Sequence, residues 1–132
     1  MDKEILKSGK ALYIDLAPMS SSWKLFQAVV VAFKKNGINL KVDLETEINF
    51  RDIFLANAGE CLNGLMDILV SDIVIERILD CGAKCLYEAN GVKHKITLDT
   101  FEKEDCRADF FEVMYKIAIR NLKPFFPQLP TE

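Results

Sequence analysis

The end of the chain constrains its fold most strongly, because prolines and aromatic residues are crowded together there. Three of the four prolines and two adjacent phenylalanines lie within residues 124–130. Proline lacks a backbone N–H and biases the preceding residue away from helical geometry, so the sequence predicts an extended tail over residues 123–132. Phe125, Phe126 and Leu129 still favour burial, by about 1.5–3 kcal/mol each. The tail must therefore pack either on its own domain or on another protein.

The composition is that of a soluble globular protein. The 132 residues, of which 50% are hydrophobic and 28% charged, suffice for one domain with its own core. A net charge of −3 and the lack of a basic stripe argue against nucleic acid as the partner. The charged first residues do not fit a signal peptide, and no apolar run reaches the roughly 18 residues of a membrane span. We therefore expect a cytosolic protein without membrane association, with residues 1–9 mobile.

The cysteine pattern predicts free thiols and no metal centre. Cys81 and Cys85 are four residues apart, on one face of a predicted helix, and lack the two-residue spacing of a zinc or redox motif. With Cys61 and Cys106, they are interpreted as small hydrophobic side chains. The only histidine, His94, lies in a polar alternating segment and is expected to be exposed, which leaves a Cys–His catalytic pair as a minor alternative.

Other chemical motifs are missing from the sequence. The six glycines form no phosphate-binding loop, and neither a nucleophile elbow nor a zinc-binding helix motif is present. The acidic cluster Glu102–Asp105, with Asp109, is an alternative cation site, but it lacks the turn glycine of a calcium loop. The sequence therefore predicts no catalytic residue, no cofactor and no metal site, and indicates a protein that acts by binding.

Hydrophobic periodicity predicts a single, mainly helical α+β domain with a small sheet of two or three strands. Apolar residues at every second position predict strands, and apolar residues three or four apart predict helices. The predicted strands are 10–16, 38–45 and, less regularly, 92–98. The predicted helices run from the N-caps at Ser20–Ser22 to the C-cap at Asn36–Gly37, over 54–69, from the Ser71–Asp72 cap to Leu86, and over 105–122. Asn90–Gly91 closes the third helix or starts a turn.

The last predicted helix carries aromatic residues on more than one side, which indicates two packing surfaces. One would face the core and the other a partner. The residues predicted to bind a partner come from this helix and from the tail: Phe110, Phe111, Met114, Tyr115, Pro124, Phe125, Phe126 and Leu129. The alternative for the same residues is that a folded-back tail completes the core.

Four segments, in this order, give the chain a resemblance to a known family. They are IDLAP at 14–18, SDIVIERILDCGAKCLYE at 71–88, KITLDTF at 95–101 and CRADFFEVMYKIAIRNLKPFF at 106–126. The last, an Arg-x-Asp-aromatic helix start with an Asn-Leu-x-Pro-Phe-Phe end, is the most specific. Together the segments resemble the small tail assembly chaperones of long-tailed, siphovirus-type bacteriophages.

The resemblance implies a non-catalytic function in the cytoplasm of the bacterial host. Such a chaperone binds the tape-measure protein, keeps this long helical chain soluble and helps recruit tail-tube subunits. The chain would be the short form, encoded upstream of the tape-measure protein, and self-association is possible. Coating by several modest contacts is physically suitable, because linked weak sites give high avidity and can still be released.

Three other functions stay open at this point. The chain is alternatively a structural tail or head-tail connector subunit retained in the virion, or a small phage adaptor that binds a host protein. A thiol enzyme that uses one of the cysteines is the third alternative.

Overall fold

The computed structural model describes residues 1–35 and 64–125. The strands are β1 Asp2–Ile5, β2 Ala11–Ile14, β3 Leu86–Ala89 and β4 Val92–Lys95. The α-helices are α1 Met19–Lys35, α2 Leu65–Ile68, α3 Asp72–Cys81, α4 Glu104–Arg107 and α5 Phe110–Leu122. Short 3₁₀ helices cover Leu98–Phe101 and Lys123–Phe125. These elements form one small α+β domain.

The four described strands form an antiparallel sheet in the order β1-β2-β3-β4. Central residues Leu12 and Tyr87 pair across β2 and β3, and both are buried on the side that faces the helices. The hairpin between β3 and β4 turns at Asn90 and Gly91, whose φ angles of 54° and 77° match the left-handed geometry of a two-residue type I′ turn. All residues of the edge strands β1 and β4 are exposed.

The helices cover one face of this sheet. Helix α1 packs against α3 and α5, α3 packs against α5, and α5 contacts β2. The largest fully buried side chains come from all of these elements and include Leu12, Leu25, Phe33, Leu65, Ile78, Tyr87, Met114 and Ile117. The core therefore lies between the helix layer and the central strands, and the opposite face of the sheet has no described helix over it.

Several sequence-based expectations agree with this architecture. The α+β class is confirmed, strand 10–16 appears as β2, and the weaker strand at 92–98 appears as β4 over its first part. Helix α1 begins at Met19, so Ser20–Ser22 lie in its first turn and do not cap it. Helix α3 begins where Ser71–Asp72 predicted, although the Ser71 side chain makes no capping hydrogen bond.

The sheet is larger than the two or three strands that the sequence predicted. Residues 2–5, expected within a mobile segment, pair with β2 as an edge strand. The third predicted helix ends at Cys81, and Leu86 belongs to β3, so Cys81 and Cys85 do not share a helix face. The Asn90–Gly91 turn therefore joins two strands, because alternating residues on both sides of it pair across the hairpin.

The end of the described chain also differs from expectation. The predicted helix over 105–122 is interrupted at Ala108–Asp109, between α4 and α5. Lys123–Phe125 continue as a 3₁₀ turn and are not extended. The predicted strand at 38–45, most of the predicted helix at 54–69, the Asn36–Gly37 cap, Cys61 and residues 126–132 lie outside the described residues.

Candidate functional site

Three aromatic rings meet where the described chain ends. Phe125 lies 5.0 Å from Phe26 and 6.3 Å from Trp23 between ring centroids, and Trp23 stacks on Phe26 at 5.5 Å with an interplanar angle of 11°. Phe26 is buried and Phe125 is half-buried, whereas Trp23 is 42% exposed. Phe125 thus folds back onto α1, but a large part of the Trp23 indole stays open to solvent.

An apolar groove adjoins these rings. It is lined by Leu16, Met19, Pro124 and Phe125. Leu16, which precedes α1, is 47% exposed, and Met19, the first residue of α1, is 65% exposed. We call Leu16, Met19, Trp23, Pro124 and Phe125 the C-terminal patch. Exposed apolar residues that lie side by side in this way are typical of interaction sites, whereas single exposed apolar residues are common everywhere.

The buried side chain of Asn121 holds the groove together. Its Oδ1 accepts hydrogen bonds from the Ala17 backbone N–H and the Ser22 hydroxyl, both at 2.9 Å, and its Nδ2 donates to the Ile117 carbonyl at 2.9 Å. Asn121 and Ser22 are 1% and 4% exposed. The amide therefore joins the end of α5 to the start of α1, and it fixes the two elements that carry the C-terminal patch.

A second aromatic row reaches the surface at the other end of α5. Ring centroids follow one another from Tyr87 to Phe101, Phe110 and Phe111 at 5.3, 5.3 and 5.5 Å. The row begins in the core and ends at Phe111, which is 48% exposed. Because a helix rises 1.5 Å per residue, Phe111 and Phe125 lie about 20 Å apart along α5 and the turn that follows it.

The predicted partner-binding residues therefore fall into different environments. Phe111 and Pro124 are exposed, and Phe110, Tyr115 and Phe125 are half-buried. Met114 is fully buried and belongs to the core. Phe126 and Leu129 lie outside the described residues. The partner-binding role stays a prediction for the accessible residues of this set.

The exposed residues on the α1 side of the patch were not among those predicted from the sequence to bind a partner. Trp23 lies at helical spacing with Phe26 and Phe33, and residues of such an apolar stripe usually face the core. The sequence feature that could have indicated exposure is the position of Trp23 in the first turns of α1. The apolar residues Leu16 and Met19 come just before it. An apolar residue near the end of a helix is less often fully buried than one in the middle, because the helix end extends past the core.

The buried carboxylate of Asp109 lies in the break between α4 and α5. Asp109 is 3% exposed, and its Oδ2 accepts hydrogen bonds from the Tyr87 hydroxyl at 2.6 Å and the Ser8 hydroxyl at 3.0 Å, with the Lys10 ammonium 3.9 Å away. Burial, together with the hydrogen bond to Asp109, raises the pKa of Tyr87 well above its usual value. Because this carboxylate is used inside the fold, Asp109 is not available to the predicted acidic cluster.

The described cysteines have the environment of core residues. Cys81, Cys85 and Cys106 are buried free thiols. Burial, with a smaller effect of Asp80, raises the pKa of Cys81 to about 12, and burial also raises the pKa of Cys85. A nucleophilic cysteine needs a low pKa and access to substrate, so these two thiols lack both properties.

Within residues 1–35 and 64–125, no three His, Cys, Asp or Glu side chains are arranged so that they could hold a metal ion. The helices in this part of the chain are too short or too polar to cross a bilayer. Comparison with protein-family models, with curated proteins and with solved structures gave no match.

Proposed function

We propose that the chain is a bacteriophage tail assembly chaperone that binds the tape-measure protein, keeps it soluble and helps recruit tail-tube subunits. The proposal rests on the ordered sequence likeness at 14–18, 71–88, 95–101 and 106–126, and on one structural observation. That observation is the C-terminal patch, in which a partly exposed tryptophan is continuous with an apolar groove.

The chemistry of the patch supports binding to an apolar helix. The patch offers aromatic and flexible aliphatic surface from Leu16, Met19, Trp23 and Phe125. The only described polar side chains that line the groove, Ser22 and Asn121, are already hydrogen-bonded to each other. An apolar side chain of a partner can therefore enter without leaving a buried polar group unpaired. A long helix that exposes apolar residues before assembly is an aggregation hazard that such contacts would reduce.

The distance between the patch and Phe111 supports multivalent binding. The two apolar surfaces lie about 20 Å apart, which is close to the rise of 13 to 14 helical residues. One long helix can therefore contact both, and each contact needs only modest affinity because the second one becomes intramolecular. Such binding is strong in sum and reversible in steps, as a chaperone that leaves the finished tail requires.

Co-expression with the tape-measure protein from the same genome tests the proposal. We expect the chain to increase the soluble fraction of that protein and Trp23→Ser to reduce this effect strongly. Leu98→Ser, which changes another exposed apolar residue outside both surfaces, is the control; Leu98 is 57% exposed, compared with 42% for Trp23. Equal solubility with and without the chain would refute the proposal.

Two truncations separate the contribution of Phe125 from that of the tail. A chain that ends at Phe125 keeps the packing against Trp23, whereas a chain that ends at Leu122 loses it. We expect both to fold, and the shorter one to bind the tape-measure protein more weakly. If the shorter chain loses its helical circular dichroism, the last residues belong to the core.

Mass spectrometry of purified virions separates the chaperone from a structural subunit. A chaperone is missing from the finished particle, whereas a tail or connector subunit is present in many copies. Detection of the chain at the level of a structural protein would replace the proposal with that alternative.

A further inference from the structure

The face of the sheet that points away from the helices is charged. The strand register places Lys3, Tyr13, Leu86 and Lys95 in one row across the four strands, and Ile5, Ala11, Glu88 and Lys93 in the next. Leu12 and Tyr87, whose side chains alternate with these, point into the core. We call the residues Lys3, Ile5, Tyr13, Leu86, Glu88, Lys93 and Lys95 the lysine face.

The lysines of this face form no ion pair with a carboxylate of residues 1–35 or 64–125. Among the residues that the structure describes, no carboxylate oxygen lies within 4 Å of the ammonium groups of Lys3, Lys93 and Lys95. Glu88, the only acidic residue that the four described strands place on this face, accepts a hydrogen bond from Tyr13 at 3.5 Å. The lysine face therefore has an excess of positive charge on a protein of net charge −3.

The opposite side of β1 shows the reverse arrangement. Asp2 and Glu4 alternate with Lys3 and point to the helix side, where their carboxylates lie 3.5 Å from Arg120 and 3.4 Å from Lys116. The acids of the edge strand thus form surface ion pairs with α5, while the basic residue between them is left on the outer face. This segregation makes the outer face complementary to an acidic ligand.

The aromatic residue at the centre of this face is already covered by cations. The Nζ of Lys93 lies 4.5 Å, and that of Lys3 5.8 Å, from the centroid of the Tyr13 ring. Proteins that bind single-stranded nucleic acid on a sheet use open aromatic faces on which bases stack. Because Tyr13 is half-buried and carries two ammonium groups over its ring, it offers no such platform.

We infer that the lysine face is a docking site for an acidic polypeptide segment. Strands are about 4.8 Å apart, so Lys3 and Lys95 are separated by about 14 Å across the sheet, and Lys93 and Lys95 by about 7 Å along β4. A partner segment whose carboxylates are distributed over about ten helical residues, or about five extended residues, is long enough to place one near each of the three lysines. The half-buried Leu86 lies between Lys3 and Lys95 in one row. The exposed Ile5 lies beside Lys3 on β1, and both apolar side chains contact apolar groups of the same segment. This surface is separate from the C-terminal patch, so it goes beyond the proposed function.

Fluorescence anisotropy with a labelled peptide of alternating glutamate and alanine tests this inference. The triple variant Lys3→Glu, Lys93→Glu and Lys95→Glu should bind the peptide about tenfold more weakly or worse, since each exposed pair contributes a factor of about two to five. The matched control changes the same net charge at exposed lysines elsewhere, with Lys24→Glu, Lys84→Glu and Lys103→Glu. We expect the control to bind almost as the unchanged chain does, and added salt to weaken binding.

Other outcomes would overturn the inference. Equal losses in the triple variant and its control would show an effect of net charge alone. Equal binding of a peptide with glutamine in place of glutamate would exclude recognition of carboxylates. Tighter binding of single-stranded oligothymidine than of the peptide would assign the face to nucleic acid, and lysine-dependent self-association in analytical ultracentrifugation would assign it to a second copy. Trp23→Ser should leave peptide binding unchanged, so failure here is distinguishable from failure of the proposed function.

Discussion

Replacing Asn121 by alanine should loosen the junction between α1 and α5 more than any other change to a single polar group near the C-terminal patch. The amide is 1% exposed and accepts two hydrogen bonds that come from different parts of the chain. Alanine cannot accept either, and the Ser22 hydroxyl and the Ala17 N–H lose their partner. The helix itself is not weakened, because alanine is the better helix former.

The expected cost follows from these two donors. A buried donor left without a partner costs about 1–3 kcal/mol, and Ala17 lies at the groove, where water can replace part of its bond. The gain in helix propensity returns about 0.5 kcal/mol. We therefore expect Asn121→Ala to lower the free energy of unfolding by about 2–4 kcal/mol, a large fraction of the roughly 5–15 kcal/mol of a typical domain.

Urea unfolding followed by circular dichroism measures this loss, and a double-mutant cycle tests its cause. Ser22→Ala removes one of the stranded donors, so the double variant should be about 1–2 kcal/mol more stable than the sum of the two single losses predicts. Gln27→Ala, at an exposed position of α1, is the control and should change stability by less than about 0.5 kcal/mol. Strict additivity, or a loss below about 0.5 kcal/mol for Asn121→Ala, would refute the reasoning.

Three further predictions concern the core and the patch. Tyr87→Phe should lower the free energy of unfolding by about 1.5–3 kcal/mol in urea titrations, because the buried carboxylate of Asp109 loses its 2.6 Å hydrogen bond. Burial raises the pKa of Cys81 from 9.0 to about 12. The unfolded chain therefore releases this proton first, and stability should fall as the pH rises from about 9 to 12, less steeply in Cys81→Ala; equal slopes would contradict this. Phe125→Ala should shift the fluorescence emission of Trp23, the only tryptophan, to longer wavelength, and an unchanged spectrum would argue against their contact.

The elements predicted most accurately from the sequence are those whose own residues alternate between buried and exposed positions. Strand β2 buries Leu12 and Ile14 toward the helices. Helix α1 buries one stripe from Leu25 to Phe33, so the apolar spacing of both elements follows the period of the structure. Strand β1 has four exposed residues and no such period. It forms because it pairs with β2 and because its acidic side chains form ion pairs with α5. Both contacts join residues far apart in the sequence, so the pattern of residues 2–5 alone cannot predict them.

The misassigned end of helix α3 shows how a correct spacing can mislead. Ile78, Gly82 and Leu86 are spaced as in a helix, yet the chain turns after Cys81 and begins β3. The better signal was the Asn90–Gly91 pair with four residues on either side that pair as strands. A two-residue Asn-Gly loop between alternating segments is a strong hairpin signal, and it outweighs a helical stripe of this length.

The candidate site was predictable only on the side of α5 and the tail. Aromatic residues at 110–115 and at 124–126 marked both ends of α5, and the structure leaves Phe111 and Pro124 accessible there. Lys123 precedes a proline and was expected to be extended, but it has helical φ and ψ angles of −52° and −41°. Packing of Phe125 on Trp23 and Phe26 accounts for this, because a tertiary contact outweighs a local preference of the residue before proline.

Phe125 lies at the boundary between the core and the exposed part of the C-terminal patch. Phe125 contacts its own domain, but it is only half-buried, and an aromatic pair of this kind contributes about 0.5–1.5 kcal/mol beyond the area it buries. That is small beside the stability of a domain, so Phe125 can exchange its contact with Phe26 for a contact with a partner's apolar side chain without unfolding the core. Asn121 and Ser22 keep α1 and α5 together beneath the exchanged contact. We therefore expect the patch to open for a partner and to close again, which is the behaviour that the proposed temporary binding of an apolar chain requires.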